Sequence, residues 1–232
     1  LVGGVDPLDG ANPNLALDAL HRAFVVSLEM RPSAVTDRAN VVLPIAAVAE
    51  KSGTFLNWEG RGRSFDIAVE ESLQRSDVRI LSLLADQIGR PINISTVAQA
   101  ANEFSSIGSW DGAKSEFGGV KATAAHGVSG DQAILTSWRR LIDNGSLQDG
   151  EANLAGTARK TVAVISPKRA NAIGVADGEL IKISTSKGAI VLPVLIEEIH
   201  DDAVWAPRNS GGSELLRTLG VASNEVVTVV KA

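Results

Sequence analysis

The chain has 232 residues, and 44% of them are hydrophobic, a composition that suits one large or two modest globular domains with a packed core. Its formal net charge is −5 and the sequence contains no block of Lys or Arg, so nucleic acid is not an expected partner. Cysteine is absent, which excludes disulfides, thiolate metal sites, iron–sulfur ligation and cysteine nucleophiles within these residues.

The first 89 residues alternate short apolar runs with helical stretches, which is the pattern of an α/β layer. A strand, a helix, a second strand, a short helix and a third strand are predicted at residues 1–5, 14–23, 24–28, 36–40 and 41–43. Because a strand–helix–strand crossover is right-handed, these strands should be parallel neighbours in one sheet. The chain starts within a strand and without an initiator Met, so we expect a domain that is incomplete at its N-terminus.

Three further helices are predicted before the sequence changes character. Ser76 is suited to cap a helix over residues 77–88, which Gly89 would end. Residues 95–104 and 130–143 predict the other two helices. Between them the sequence is rich in Gly, Ser and Ala, which indicates a weakly structured connection.

A linker and a second domain are predicted in the C-terminal half. Residues 146–160 are rich in small and turn-forming residues, which favours a linker after an α/β domain over residues 1–145. From there on, turns separate short β-type runs at residues 161–165, 180–184, 189–196, 203–206 and 225–230. Short strands of this kind predict a compact, closed β-barrel over residues 161–232.

The segment 40–63 carries the most specific signal. An apolar run at residues 41–43 meets Pro44, and a small-residue stretch leads into a polar loop over residues 50–61. This order resembles the VLP, EK-x-GTF and N-x-EGR signature of the molybdopterin-oxidoreductase superfamily. With Trp58 in the loop, the segment is most similar to the large iron–sulfur G subunit of proton-translocating NADH:quinone oxidoreductase, respiratory complex I.

A second resemblance covers the C-terminal half. The stretch 165–194 is similar to the molybdopterin-dinucleotide-binding domain, a double-psi β-barrel. Together the two resemblances imply an α/β fold, with a parallel-sheet molybdopterin-oxidoreductase-type layer followed by a double-psi β-barrel. The centre of the chain matches neither pattern well.

The resemblance to the G subunit also implies a function. The parent protein would pass electrons from NADH toward quinone, coupled to proton translocation, through iron–sulfur clusters in an N-terminal region outside this chain. The chain would be a C-terminal scaffold part without cofactor, metal or catalytic residue, in contact with other peripheral-arm subunits. The complex would be membrane-bound, on the cytoplasmic side of the bacterial inner membrane. Direct membrane insertion of the chain is not expected, because its longest apolar runs fall far short of the ~20 residues that a span needs.

The alternative is a catalytic domain of a molybdenum bis-pterin oxidoreductase, such as a formate dehydrogenase or nitrate reductase. Two polar loops would then bind the cofactor through Lys51, Gly53, Thr54, Asn57, Arg61, Arg208 and Asn209. On the scaffold interpretation, the charged side chains of the first loop instead pair with one another or with the backbone, and these are Glu50, Lys51, Glu59, Arg61 and Arg63. No metal or catalytic site is indicated by the widely separated histidines, His21, His126 and His200.

The aromatic residues suggest where the chain meets other proteins. It has four tryptophans and no tyrosine, so much of its large aromatic surface depends on Trp. Trp138 and Trp205 are expected in the core. Trp58, in the polar loop, and Trp110, in the Gly- and Ser-rich connection, are predicted at a protein interface, where Trp is enriched.

Overall fold

The computed structural model describes residues 1–70, 72–116, 118–119, 127–221 and 223–232. By their contacts the residues form two compact units. The first, which we call the sheet unit, comprises Leu1–Asp6 and Leu17–Gly119. The second, which we call the barrel unit, comprises Pro7–Ala16 and Val120–Ala232. The linker over residues 146–160 and the domain limits on either side of it stay predictions.

Three strands and one helix begin the chain, with bounds β1 Val2–Gly3, α1 Pro13–Arg22, β2 Val26–Glu29 and β3 Val41–Pro44. The strands form a parallel sheet in the order β1-β2-β3, which confirms the predicted arrangement. In the central strand the side chains of Ser27 and Leu28 are both buried, as expected where a parallel sheet is covered on its two faces. The short helix predicted before β3 is a 3-10 turn at Thr36–Arg38.

A hairpin and two helices follow the sheet, with bounds β4 Gly53–Leu56, β5 Gly62–Phe65, α2 Asp77–Gln87 and α3 Val97–Ile107. The polar loop predicted over residues 50–61 is wrong in part, because residues 53–56 form β4 and pair with β5 in antiparallel register. Both predicted helices are confirmed, and each begins where a hydroxyl accepts an amide hydrogen bond, at Ser76 and at Thr96. Within the described residues, no helix has the length and apolar character that spanning a bilayer requires.

The barrel unit contains, in chain order, β6 Gln132–Thr136, α4 Ala152–Ala155, β7 Ala163–Ile165, α5 Pro167–Ile173, β8 Leu180–Ser184, β9 Ala189–Ile196, β10 Ala203–Trp205, β11 Asn209–Ser210, β12 Ser213–Glu214, α6 Leu215–Thr218 and β13 Glu225–Lys231. Six of these strands close into a barrel in the order β10-β6-β13-β8-β9-β7. Strands β11 and β12 form a separate short hairpin. The predicted strands of the barrel are confirmed, and β8 and β9 have the predicted bounds.

Strand β6 corrects the helix predicted over residues 130–143. It pairs antiparallel with β13 and parallel with β10, so it is an integral strand of the barrel. The side chains of Ala133 and Leu135 are fully buried and alternate with partly exposed neighbours, which is the two-residue period of a strand. Pairing on both edges therefore overrides the apolar spacing that suggested a helix.

The core of the barrel is formed by aliphatic side chains from most of its strands. Leu135, Ile165, Ile181, Ile183 and Val229 are all completely buried. Helix α5 closes over this core with regular ends: Ser166 caps it, Pro167 occupies its first turn and Gly174 ends it at a φ of 68°.

Candidate functional site

The polar residues of the signature segment close the turn between β4 and β5. The Asn57 side-chain oxygen accepts hydrogen bonds from the amides of Glu59 (3.0 Å) and Arg61 (2.9 Å). Gly60, at a φ of 78°, donates its amide to the Asn57 carbonyl over 2.9 Å. Arg61 Nε lies 3.0 Å from Glu59 Oε2. Asn57 and Arg61 thus bind groups of their own turn.

The base of the hairpin is held by two further charged residues. Lys51 Nζ forms an ion pair with Asp77 Oδ2, at the first residue of α2, and the Lys51 side chain is only 17% exposed. The Glu50 carboxylate accepts from the Ala47 amide (2.8 Å) and so closes the 3-10 turn Val48–Glu50. The Lys51 amine and the Glu50 carboxylate, at the start of the signature loop, therefore both bind protein groups.

Gly53 is required at the start of β4 by the packing of an aromatic ring. A Cβ atom on Gly53 would lie 2.8 Å from Cζ of Phe65, on the paired strand, which is closer than real Cβ contacts come. The Phe65 ring also stacks on Phe55, with 4.6 Å between ring centroids. Thr54 lies beside them as the strand partner of Ser64. The glycine of the signature thus has a packing role in the hairpin.

The two tryptophans predicted at an interface are both exposed. The Trp58 side chain, at the tip of the hairpin, is 93% exposed, and Phe55 and Leu56 next to it are more than half exposed. Trp110 is also exposed, with its indole N–H donating to the Ala113 carbonyl over 3.0 Å. An interface role for Trp58 and Trp110 stays a prediction.

Of the other two tryptophans, one is in the core and one is not. Trp205 is 8% exposed at the end of β10, as expected. Trp138 is 63% exposed, so its expected place in the core is wrong. It lies two residues past the end of β6, and its ring packs against that of Trp205 at an interplanar angle of 46°, with 4.8 Å between centroids.

The remaining predicted binding residues, Arg208 and Asn209, line a cavity of about 300 Å³ in the barrel unit. Its wall is completed by Leu8, Asp9, Arg139, Asn144, Glu214, Leu216 and Arg217. Among the described residues, the Arg208 guanidinium has neither an ion pair nor a side-chain hydrogen bond. The predicted binding residues therefore belong to two different units, five to the sheet unit and two to the barrel unit.

The strongest charge network of the cavity was not predicted from the sequence. Arg139 contacts Asp143 through Nε (2.8 Å) and Nη2 (3.0 Å), and contacts Asp9 through Nη1 (2.8 Å). The hydrogen bonds that Arg139 donates to Asp143 raise the pKa of Arg139 above its ordinary value. Burial opposes ionisation of Asp143, yet the hydrogen bonds from Arg139 and from the Gly145 amide hold its pKa below the usual value. The spacing of four residues between Arg139 and Asp143 was a signal in the sequence from which this ion pair could have been predicted.

The two histidines within the described residues belong to different units. His200 is exposed and its Nδ1 accepts from the Asp202 amide over 3.2 Å, while His21 lies exposed near the end of α1. His126 lies outside the described residues. In the part of the chain that the structure describes, no group of three His, Asp or Glu side chains is placed to hold a metal ion.

Two family models match the chain, one in each half. Residues 9–87 match the molybdopterin oxidoreductase family, and residues 134–230 match the molydopterin dinucleotide binding domain. The chain is 47% identical to the G subunit of NADH-quinone oxidoreductase from Mycobacterium bovis and from Mycobacterium tuberculosis, over 99% of its own length and 29% of theirs. The chain is homologous to a segment of the NADH-quinone oxidoreductase G subunit. It spans less than a third of these relatives.

Other comparisons agree with this family. The G subunit from Streptomyces coelicolor is 40% identical over 99% of the chain and 28% of that protein. Among solved structures, acetylene hydratase from Pelobacter acetylenicus superposes on 95% of the chain and 42% of its own length, with a TM-score of 0.52 and 16% identity. This similarity shows the fold alone, and it confirms the predicted class, an α/β layer with a closed barrel.

The family of the C-terminal half is named for binding a molybdopterin dinucleotide, and the cavity of the barrel unit does not fit that group. Two carboxylates, Asp9 and Glu214, line it and would oppose the phosphates of a dinucleotide. The guanidinium of Arg139 is already neutralised by two aspartates. A volume of about 300 Å³ is at the lower end of what a drug-sized ligand needs, and a pterin dinucleotide is larger.

Proposed function

We propose that the chain is a scaffold part of the NADH-quinone oxidoreductase G subunit and holds no cofactor itself. The whole protein would pass electrons from NADH toward quinone, coupled to proton translocation, through iron–sulfur clusters in a region outside this chain. The chain would contact other peripheral-arm subunits on the cytoplasmic side of the bacterial inner membrane. The relatives named above support the subunit assignment, since they are 47% and 40% identical over nearly the whole chain.

One observation carries the scaffold role. Three of the side chains that the signature offers to a cofactor already bind protein groups: Lys51 binds Asp77, Asn57 binds two turn amides and Arg61 binds Glu59. A cofactor cradle needs donors that are free to bind phosphate or pterin edges. The same residues instead hold a hairpin in shape, which is a structural task that needs no ligand.

A molybdenum bis-pterin enzyme is the second candidate, and the free Arg208 guanidinium beside Asn209 favours it. The carboxylates of Asp9 and Glu214 in the same cavity weigh against it, because they repel an anionic ligand. Elemental analysis of the purified intact complex for molybdenum and tungsten separates the two. The scaffold role predicts only trace amounts, and a near-stoichiometric signal would overturn it.

Substitution of Arg61 tests the scaffold role at the residue level. The Arg61 side chain is 74% exposed and that of Glu59 is 37% exposed, so Arg61→Ala should cost less than ~1 kcal/mol of stability. We expect NADH:quinone turnover per assembled complex to stay unchanged, with at most a modest fall in assembly. Arg63→Ala is the matched control, since it removes a charge from the same hairpin and leaves the turn pair intact. Turnover that collapses in fully assembled Arg61→Ala complexes would contradict the proposal.

A further inference from the structure

A groove of about 820 Å³ on the barrel unit is unused by the proposed function. It runs beside β10, and its lining contains none of the seven residues predicted to bind a cofactor. One wall carries Trp138 and Trp205, whose rings contact each other at an interplanar angle of 46°. Val162, Val164 and Leu195 add aliphatic side chains to its lining. Its size is within the range of protein cavities that bind ligands or anchor side chains.

The aromatic wall, formed by Trp138 and Trp205, leaves apolar surface exposed to solvent. Trp138 is 63% exposed although its ring contacts the buried ring of Trp205, so most of its indole faces solvent. The buried Trp205 N–H has no acceptor among the described residues, and buried donors without acceptors are rare in proteins. The guanidinium of Arg140 lies over the Trp205 ring, 5.3 Å from its centroid. The wall therefore combines an apolar face with an oriented cation.

The charges of the groove are not balanced. Arg140 Nη1 donates to the carbonyls of Arg159 (3.0 Å) and Lys160 (2.7 Å). Neither Arg140 nor Arg159 is in an ion pair with a carboxylate within the described part of the chain. Burial and the positive charge of Arg159 lower the pKa of Arg140, which indicates that the two cations repel each other. The one acidic residue that lines the groove is Glu197.

We propose that this groove docks an acidic, apolar segment of a partner polypeptide. A carboxylate of the segment would lie between Arg140 and Arg159 and relieve their repulsion, while a neighbouring apolar side chain would cover Trp138. Trp and Arg are the residues that most often dominate binding energy at protein interfaces, which favours a polypeptide over a small anion. The inference rests on the proposed function for the presence of partner subunits.

Photo-crosslinking in the assembled complex tests this proposal. Thr157 lines the groove and is exposed, so Thr157→p-benzoylphenylalanine in the full-length protein would place a reactive group at the groove without removing either arginine. Lys182, exposed on β8 and not part of the groove, is the matched control position. After irradiation we expect a cross-link from Thr157, and none from Lys182, to a segment of another subunit that contains Asp or Glu beside an apolar residue. Cross-links only within the same polypeptide, or none, would overturn the proposal.

Charge substitutions in the same sample test the chemistry of the contact. Arg159→Glu should lower the cross-link yield at least about tenfold because it repels the partner carboxylate, while Arg159→Lys should stay within about threefold of the unsubstituted protein. Equal cross-link yields for the two Arg159 variants would contradict an acidic partner. A small anion bound at Arg140 and Arg159, with no cross-link to another subunit, would also contradict it. NADH:quinone turnover per assembled complex is recorded alongside. If no cross-link forms and turnover is normal, the docking proposal is wrong and the scaffold proposal still stands. If the complex contains molybdenum, the scaffold proposal is wrong.

Discussion

Removal of the Asp143 carboxylate should destabilise the barrel unit, because the three hydrogen bonds that it accepts would be lost. The side chain is 5% exposed, accepts two hydrogen bonds from Arg139 and accepts a third from the Gly145 amide over 2.8 Å. Hydrogen bonds to a charged partner are worth ~1.5–3 kcal/mol, and a donor left without an acceptor adds a desolvation cost. Arg139 would keep its contact with Asp9, which limits the loss. We therefore expect Asp143→Ala to lower the free energy of unfolding by about 2–4 kcal/mol at pH 7.

The same carboxylate predicts how this difference depends on pH. The folded state holds the pKa of Asp143 below its usual value, whereas in the unfolded chain it should be near ~3.9. The stabilisation is therefore complete above the unfolded pKa and is lost as the pH falls through the lower, folded-state pKa. Between pH 5 and pH 7 the cost of Asp143→Ala should be constant, and below about pH 4 it should shrink.

Urea unfolding followed by tryptophan fluorescence measures both effects, since the buried Trp205 reports on the barrel unit. Asp131→Ala is the matched control, because that exposed aspartate at the start of the same barrel should cost less than about 0.5 kcal/mol. Equal losses for Asp131→Ala and Asp143→Ala at pH 7 would refute the reasoning. A cost of Asp143→Ala that is the same at pH 3 as at pH 7 would refute its electrostatic part.

Two substitutions elsewhere test packing and capping. Gly188→Ala would place a Cβ atom 2.3 Å from the Thr218 carbonyl oxygen, so we expect a loss of about 1–3 kcal/mol in urea unfolding, whereas Gly211→Ala, with no atom within 4 Å of its Cβ, should be nearly neutral. Ser76→Ala removes the hydroxyl that accepts from the Arg79 amide at the start of α2 and should cost about 1 kcal/mol, while Ser76→Asp should retain most of the stability. Thermal unfolding followed by circular dichroism measures the second pair, and a loss of similar size for both Ser76 variants would contradict the capping role.

The elements that sequence alone could predict are those whose local pattern agrees with their packing. Strands β8 and β9 alternate buried and exposed residues and are joined by a turn at Lys187-Gly188, so their ends followed from the pattern. Helix α2 was equally clear, because a capping serine, an apolar stripe and a glycine mark its limits. In these elements the local preference and the tertiary structure point the same way.

The errors lie where distant parts of the chain decide the structure. Strand β6 is short and its apolar spacing is compatible with a helix, and only pairing with β10 and β13 makes it a strand. The polar residues of the signature hairpin predicted a loop. Its strands are held by the contact between Phe55 and Phe65, which packs across the hairpin. The contact between Arg139 and Asp9 joins residues 130 positions apart, so no local pattern could reveal it.

Arginines with a carboxylate partner stabilise the fold, whereas arginines without one are available to bind another molecule. Arg61 and Arg139 are paired with carboxylates, and a neutralised guanidinium attracts a further anion only weakly. Arg140, Arg159 and Arg208 have no carboxylate partner among the described residues, and all three lie in the barrel unit. Because an unpaired cation beside an apolar wall gains most from an incoming carboxylate, we expect Arg140 and Arg159 to contribute to binding at the groove.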